Sequence, residues 1–206
     1  EEGAKMGEGV IHLMAFVVNK FVNHNCALNR WENTRAVVKG KMDRHDFSFK
    51  ATFAELAPCG SGLGLQWAVD NVLASFAEIA NLSHDERSKP VELNMGSATG
   101  LPQIEQKSVT AVVVDPPYAD NVQYSELADF FYVWLKRTQG HRRPDWFATY
   151  LCEHDEEAVV CPARHRTGDE PLKVAKARAN ELYQKLMTDV FRECHRILRD
   201  DGVLTV

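Results

Sequence analysis

A run of four residues, Asp115, Pro116, Pro117 and Tyr118, carries the groups in this chain most suited to chemistry, and it directly follows the apolar stretch 111–114. Neither proline can continue a central strand, because each lacks the N–H that a strand donates to its neighbour. The chain must therefore turn a rigid corner where the strand ends. This DPPY corner carries the carboxylate of Asp115, the carbonyl oxygen of Pro116 and the flat ring of Tyr118, and the fixed proline φ angle restricts where that carbonyl points.

Two hydrogen-bond acceptors beside an aromatic ring suit the activation of a planar amino group on a nucleobase. The lone pair of such a nitrogen is delocalised into the base, so the nitrogen is a poor nucleophile until it loses its planarity. Acceptors that the backbone already holds in place can favour that change without reorganising, and a base turned out of its stack can lie against the tyrosine. This chemistry needs neither a metal ion nor a covalent nucleophile. The alternative is a strand-ending turn with a structural tyrosine.

The elements around the corner follow an alternating pattern of strands and helices. We predict strands at 91–95 and 107–115, the second buried on both faces because its apolar run is continuous. Helices are predicted for VQYSELADFFYVWLKR and for residues 173–199, where DDG is a stop signal, and the final VLTV is predicted to be another buried strand. This alternation is typical of an α/β domain with parallel strands. In such sheets ligands bind beyond the carboxyl ends of the strands, which is where the DPPY corner lies.

Patterns in the rest of the chain predict further helices, an insertion and two domains. We predict a helix at 10–24 and a second helix after the glycine-rich GSGLG, because the apolar residues that follow it share one helical face. Residues 138–172 are polar and contain three prolines, which indicates a long insertion. The predicted domains are a helical and irregular N-terminal segment, 1–60, and a core, 61–206, with the insertion at about 138–172.

Composition limits the classes of partner and compartment. The chain has 206 residues, a net charge of −5 and a pI near 5.9, which argues against a generally basic nucleic-acid coat but not against a local basic groove. No apolar run is long enough to cross a bilayer, so no membrane partner is expected. Five scattered cysteines do not suggest a disulfide framework and favour a cytoplasmic protein. The missing initiator methionine and the terminal VLTV lead us to expect a piece of a longer chain.

The DPPY corner belongs to a longer string that resembles a known family. DPPYADNVQYSELADFFYVWLKR, together with RWENTRAVVKGKMDRHDFSFK, GSATGLP and FRECHRILRDDGVLTV, is similar to a family of large prokaryotic DNA methylases. DPPY at the end of an apolar strand itself resembles the catalytic motif of the amino-group methyltransferases that use S-adenosylmethionine. The resemblance implies a Rossmann-like methyltransferase fold, incomplete in this chain, with a mostly parallel sheet.

The same resemblance implies a reaction and its partners. The chain would transfer a methyl group from S-adenosylmethionine to the exocyclic amino group of a base, with adenine favoured over cytosine and DNA over RNA. The remainder of a larger chain or a partner subunit is expected as well. Two alternatives stay open: an RNA methyltransferase, and a catalytically silent component of a defence or modification system that binds DNA or protein.

Residue by residue, the resemblance makes the DPPY corner catalytic. Asn121 and Tyr124 follow it closely enough to line the entry of the base or strand. Gly96, Ser97 and Ala98 occupy the loop that related enzymes use against the adenine end of the cofactor, although many of those enzymes have an acidic residue where Ser97 stands.

A second departure concerns the glycine-rich turn that such enzymes place after their first strand. Gly60, Gly62 and Gly64 have the composition of such a turn, but TFAELAPC before them is a poor strand. We interpret these glycines mainly as a helix entry, because glycine motifs alone are weak signals.

Two further groups of residues have chemical potential. Cys152, His154, Cys161 and His165 have the residue types of a zinc site, but their spacing matches no common zinc finger, and we predict no metal site. A loose basic stretch could contact phosphates, and a solvated face is an equally good interpretation. That stretch comprises Arg30, Arg35, Lys39, Lys41 and Arg44.

Overall fold

A computed structural model describes residues 2–44, 53–60, 62, 64–83, 91–120 and 122–206. They form a mixed α/β structure that divides into two compact units. Unit 1 comprises Glu1–Pro90 and Glu126–Cys152, and unit 2 comprises Val91–Ser125 and Glu153–Val206. The boundary predicted at residue 60 stays a prediction. Within the described ranges no helix combines the length and apolarity needed to cross a membrane.

Unit 1 is mostly helical. It contains α1 (Glu2–His24), α2 (Leu65–Ser83) and most of α3 (Tyr124–Gln139), as the sequence predicted, with α1 starting earlier than expected. The side chain of Gln139 joins α3 to α1, since its Nε2 donates to the Ile11 carbonyl at 3.1 Å and its Oε1 lies 3.0 Å from Nδ1 of His12.

The segment predicted to be irregular contains a small hairpin. Strands β1 (Arg30–Glu32) and β2 (Val37–Lys39) pair antiparallel, with Trp31 opposite Val38, and a 3-10 turn at Lys41–Asp43 follows. Strands of three residues have too little sequence for a period of two to be visible, which is why the prediction missed them.

The apolar face predicted for α2 exists, but the described residues leave much of it uncovered. Leu73, Phe76 and Ile79 are each at least half exposed, whereas Ala68 on the same helix is fully buried. Apolar periodicity predicted the helix correctly and overestimated the burial of its face.

Unit 2 is built on a parallel pair of strands. Strand β3 (Val109–Val113) pairs with β4 (Leu198–Thr205), and the connection between them includes α4 (Pro162–His165) and the long α5 (Leu172–Ile197). Spacing of three to four residues places Leu182, Leu186, Val190, Cys194 and Ile197 on one apolar stripe of α5, and Cys194 and Ile197 of this stripe are buried. DDG does not stop the helix itself: α5 ends at Ile197, and the residues after Leu198 bulge until Val203 meets Ala111.

Two predictions about the sheet are wrong. Residues 91–95 form no strand and are exposed, with Leu93 at 90%. Strand β3 is not buried on both faces, since Val113 is 77% exposed. Both errors have one cause: a strand needs a neighbour and a covering layer, and in the described residues this sheet has only two strands. An α/β architecture with a small parallel sheet is confirmed, and the Rossmann-like assignment stays a prediction.

Candidate active site

The DPPY corner leaves the sheet at the carboxyl end of β3. The last ladder bond runs from the N–H of Val114 to the carbonyl of Thr205, at 3.0 Å. Beyond it the Pro117 carbonyl accepts two hydrogen bonds, from the Ala119 N–H at 3.0 Å and from the Tyr183 hydroxyl at 3.2 Å. The corner is therefore held by its own backbone and by helix α5.

The two acceptors of the corner are available to a ligand. Asp115 is exposed, and its carboxylate has no hydrogen-bond or ionic partner among the described residues. The Pro116 carbonyl likewise accepts no hydrogen bond from the part of the chain that is described.

A cleft of about 290 Å³ opens in front of these oxygens. The five residues that line it are Asp115, Pro116, Pro117, Tyr118 and Tyr124. The rings of Tyr118 and Tyr124 are accessible, at 60% and 42% exposure. Five residues predicted from sequence to act on a base or to hold it thus meet in one cleft.

The same corner also borders a second cavity, of about 310 Å³. Asp115, Pro116 and Pro117 line it together with Ser97 and Ala98, two of the three residues predicted to contact a cofactor. Gly96 is exposed and is not part of its lining. The loop is shaped by a turn in which the Gly100 N–H donates to the Ser97 carbonyl at 3.2 Å.

The second cavity combines an apolar floor with negative charge. Helix α5 contributes Leu186, Met187, Val190 and Phe191, and Glu156 adds a second carboxylate to that of Asp115. Among the described residues that line the cavity none is cationic. A ligand with an apolar body and a positive charge suits this lining, and the volume lies at the lower end of the usual range for small-molecule sites.

A network that sequence analysis missed lies beside the cleft. Glu157 accepts hydrogen bonds from the backbone N–H and the hydroxyl of Ser125, and its Oε2 lies 2.9 Å from the Arg164 guanidinium. Burial raises the pKa of the Glu157 carboxyl, but the hydrogen bonds from Ser125 and Arg164 outweigh it and lower that pKa below the ordinary 4.5. The acidic stretch around Glu157 was visible in the sequence, but nothing in it pointed to Ser125.

Three of the five residues of the basic stretch are paired with carboxylates or buried within unit 1. Arg30 lies 2.7 Å from the carboxylate of Asp43, and Lys39 lies 3.5 Å from the same group. Lys41 is buried and donates to the Leu127 carbonyl at 2.9 Å, so it cannot reach a phosphate as the hypothesis requires. Burial lowers the pKa of Lys41, partly offset by nearby Cys26 and Asp129. Arg35 and Arg44 remain exposed.

The structure gives an outcome for the glycines ahead of α2 but not for Asn121. Asn121 lies outside the described residues. Gly64 immediately precedes α2 and its carbonyl accepts the Ala68 N–H at 3.2 Å, in agreement with a helix entry. In the described ranges no three His, Cys, Asp or Glu side chains are grouped to hold a metal ion.

In comparisons with known proteins, the chain matches no family model, no curated protein and no solved structure. Any assignment of function therefore depends on the DPPY corner and the two cavities that it borders.

Proposed function

We propose that this chain contributes the catalytic corner of an S-adenosylmethionine-dependent methyltransferase that acts on the exocyclic amino group of a base in DNA, with adenine as the favoured base. The observation that carries the proposal is the position of Asp115, Pro116 and Pro117, which line both the cleft and the second cavity. Transfer between two bound molecules needs their reacting atoms to meet at one point, and this shared wall offers such a point.

The cleft suits the methyl acceptor. An amino group that enters it meets the Asp115 carboxylate and the Pro116 carbonyl, both unoccupied by described residues. Two accepted hydrogen bonds draw electron density toward the nitrogen and favour its pyramidal form, and the negative Asp115 also stabilises the positive charge that the nitrogen gains as it attacks. Tyr118 offers an exposed ring for stacking of the base.

The second cavity suits the methyl donor. S-adenosylmethionine, when bound, would supply an electrophilic methyl group from its sulfonium cation and leave as the neutral thioether S-adenosylhomocysteine, while the methylated nitrogen would release one proton to solvent. Ser97, Ala98, Asp115 and Glu156 would hold it, and the two carboxylates complement its positive charge over the apolar floor from α5. Adenine and DNA are proposed on the family resemblance, because the geometry of the corner would accept any exocyclic amino group.

The decisive experiment follows labelled methyl incorporation from S-adenosylmethionine into DNA and RNA. Asp115→Ala is expected to lower incorporation by about 100-fold, the usual loss when a preorganised electrostatic group is removed. Asp120→Asn is the matched control: Asp120 is exposed, lies five residues further on and pairs only loosely with Lys176, at 3.8 Å. Incorporation into RNA alone would favour the RNA methyltransferase. Absence of incorporation into either polymer would favour the silent binding component.

A further inference from the structure

The segment 157–160 is hydrogen-bonded to two residues that each follow a tyrosine of the cleft. Tyr118 and Tyr124 both line the cleft, and the residues that follow these two tyrosines are Ala119 and Ser125. Both are bonded to the segment 157–160, which belongs to the predicted insertion. All of these residues lie in unit 2.

The first tether holds the Tyr118 wall. The Val160 N–H donates to the Ala119 carbonyl at 2.9 Å, and Val160 itself is buried. Ala119 has a φ of +33°, a left-handed value that is strained for a residue with a Cβ. Such a conformation persists only where its surroundings hold it, and the bond from Val160 supplies that restraint.

The second tether holds the Tyr124 wall. Glu157 accepts the Ser125 N–H at 2.9 Å and the Ser125 hydroxyl at 2.6 Å, in the first turn of α3. Arg164 closes the group, since its guanidinium lies 3.1 Å from the Ser125 hydroxyl and donates to the His154 carbonyl at 2.9 Å. The side chains of Arg164 and Glu157 are only 13% and 11% exposed, so solvent competes weakly for these bonds.

We propose that Glu157 is a positioning residue that, together with the Val160 N–H, fixes the separation of Tyr118 and Tyr124 so that the cleft accepts one flat nucleobase. The Cα atoms of Glu157 and Val160 are three residues apart, which limits the distance between these two Cα atoms to about 10 Å even in a fully extended chain. Both walls are therefore tied to one short piece of backbone. This positioning role depends on the proposed function in one respect: it assumes that the molecule bound in the cleft is a nucleobase.

The test uses a single-stranded oligonucleotide carrying 2-aminopurine, whose fluorescence falls when the base stacks. With the wild-type protein we expect quenching that is lost in Tyr118→Ala. Glu157→Ala is expected to weaken the Kd for this probe about tenfold and to speed exchange of the Ser125 amide hydrogen, while the affinity for S-adenosylmethionine changes less than twofold. Glu157→Gln, which keeps an acceptor, should recover part of the loss. Glu153→Gln, an exposed neighbour, is the control.

The outcomes separate this proposal from the enzymatic one. Equal probe affinity in the wild type and in Glu157→Ala overturns the positioning role, as does a wild-type protein that does not quench the probe. Quenching that depends on Glu157, in a protein that transfers no methyl group to DNA or RNA, supports the positioning role and refutes the methyltransferase. If Glu157→Ala weakens binding of the probe and of S-adenosylmethionine in equal measure, the residue has a general structural role and the proposal fails.

Discussion

Glu157 and Ser125 are joined by two hydrogen bonds, one from the backbone N–H and one from the hydroxyl of the serine, although 32 positions separate them in the chain. A carboxylate that accepts a free N–H in the first turn of a helix is favoured by the helix dipole as well as by the bond itself. The contact therefore links a polar insertion to the start of the helix that follows the DPPY corner.

The first prediction concerns the pH dependence of this link. The pKa of Glu157 is lowered in the folded protein, so its contribution is complete above the ordinary pKa of 4.5 and is lost as the pH falls through the lower folded value. We expect Glu157→Ala to reduce the free energy of unfolding at pH 7 by about 2 kcal/mol, the usual cost of leaving buried partners unpaired. The difference from wild type in urea denaturation should shrink below pH 4.5. A difference that grows on acidification would contradict the assignment.

A second prediction addresses the buried amide of Asn29 in unit 1. This side chain is fully buried; it donates to the His24 and Ala54 carbonyls and accepts the Ala54 N–H at 3.0 Å. Because Asn29→Ala leaves three partly buried backbone groups without this partner, we expect it to cost about 3 kcal/mol of stability. Asn33→Ala, at an exposed position, should change stability by less than about 0.5 kcal/mol. Chemical denaturation of both variants is the measurement, and equal effects would show that the Asn29 bonds do not contribute.

The elements predicted correctly are those whose signal is local. The apolar stripe of α5 extends from Leu182 to Ile197, about four turns, and its members Cys194 and Ile197 are buried as the period requires. The hairpin of β1 and β2 was missed because three residues cannot show a period, and because Trp31 and Val37 are exposed although apolar. The strand predicted at 91–95 fails for the opposite reason: its apolar and polar residues alternate as in a strand, but pairing depends on residues far away in sequence.

A third prediction separates two roles for the glycines ahead of α2. Gly64 has a φ of +93°, and a Cβ there would lie 2.4 Å from the Ala57 carbonyl oxygen. The space beside it is thus filled by the chain's own backbone, and Gly64→Ala should cost about 3 kcal/mol from strain and overlap. Gly62→Ala is the matched control, since its φ is +71° but nothing lies within 4 Å, so about 1 kcal/mol is expected.

Thermal denaturation of the two glycine variants checks the stability difference. Gly64→Ala should also leave the affinity for S-adenosylmethionine unchanged at a temperature where the variant is folded. A folded Gly64→Ala protein that has lost this affinity would instead support the glycine-rich turn as part of the cofactor site.

Part of the candidate site was also predictable because its signal is local. Asp115, Pro116, Pro117, Tyr118 and Tyr124 lie within ten positions of one another, so a local pattern sufficed to place them together, and they do meet in one cleft. Glu156, Glu157 and Arg164 come from an insertion whose polar composition resembles any solvated loop. The contacts of this segment with the rest of the site, such as the Glu157–Ser125 and Val160–Ala119 hydrogen bonds, join residues far apart in sequence, and the sequence contains no periodic signal for them.

The last prediction concerns how α5 anchors the chain beyond Ser97 and Ala98. Glu193 accepts the Leu101 N–H at 2.7 Å, and Arg196 donates to the carbonyls of Leu101 and Ile104, each at 3.0 Å. The hydrogen bond from Arg196 and that from Leu101 lower the pKa of Glu193 to about 2, against a weaker opposing effect of burial.

We expect Glu193→Gln to lower the Tm at pH 7 and to weaken binding of S-adenosylmethionine several-fold, because the loop that lines the second cavity loses its anchor. Since the folded pKa is depressed, the stabilisation is present above pH 4.5 and disappears as the pH falls toward 2, so the Tm difference from wild type should narrow over that interval. Glu181→Gln, at an exposed position of the same helix, controls for the loss of one charge. Calorimetry across this pH range, with isothermal titration of the cofactor at pH 7, makes both measurements. A Tm difference that stays constant from pH 7 to pH 3 would mean that the Glu193 carboxylate does not anchor the loop through its charge.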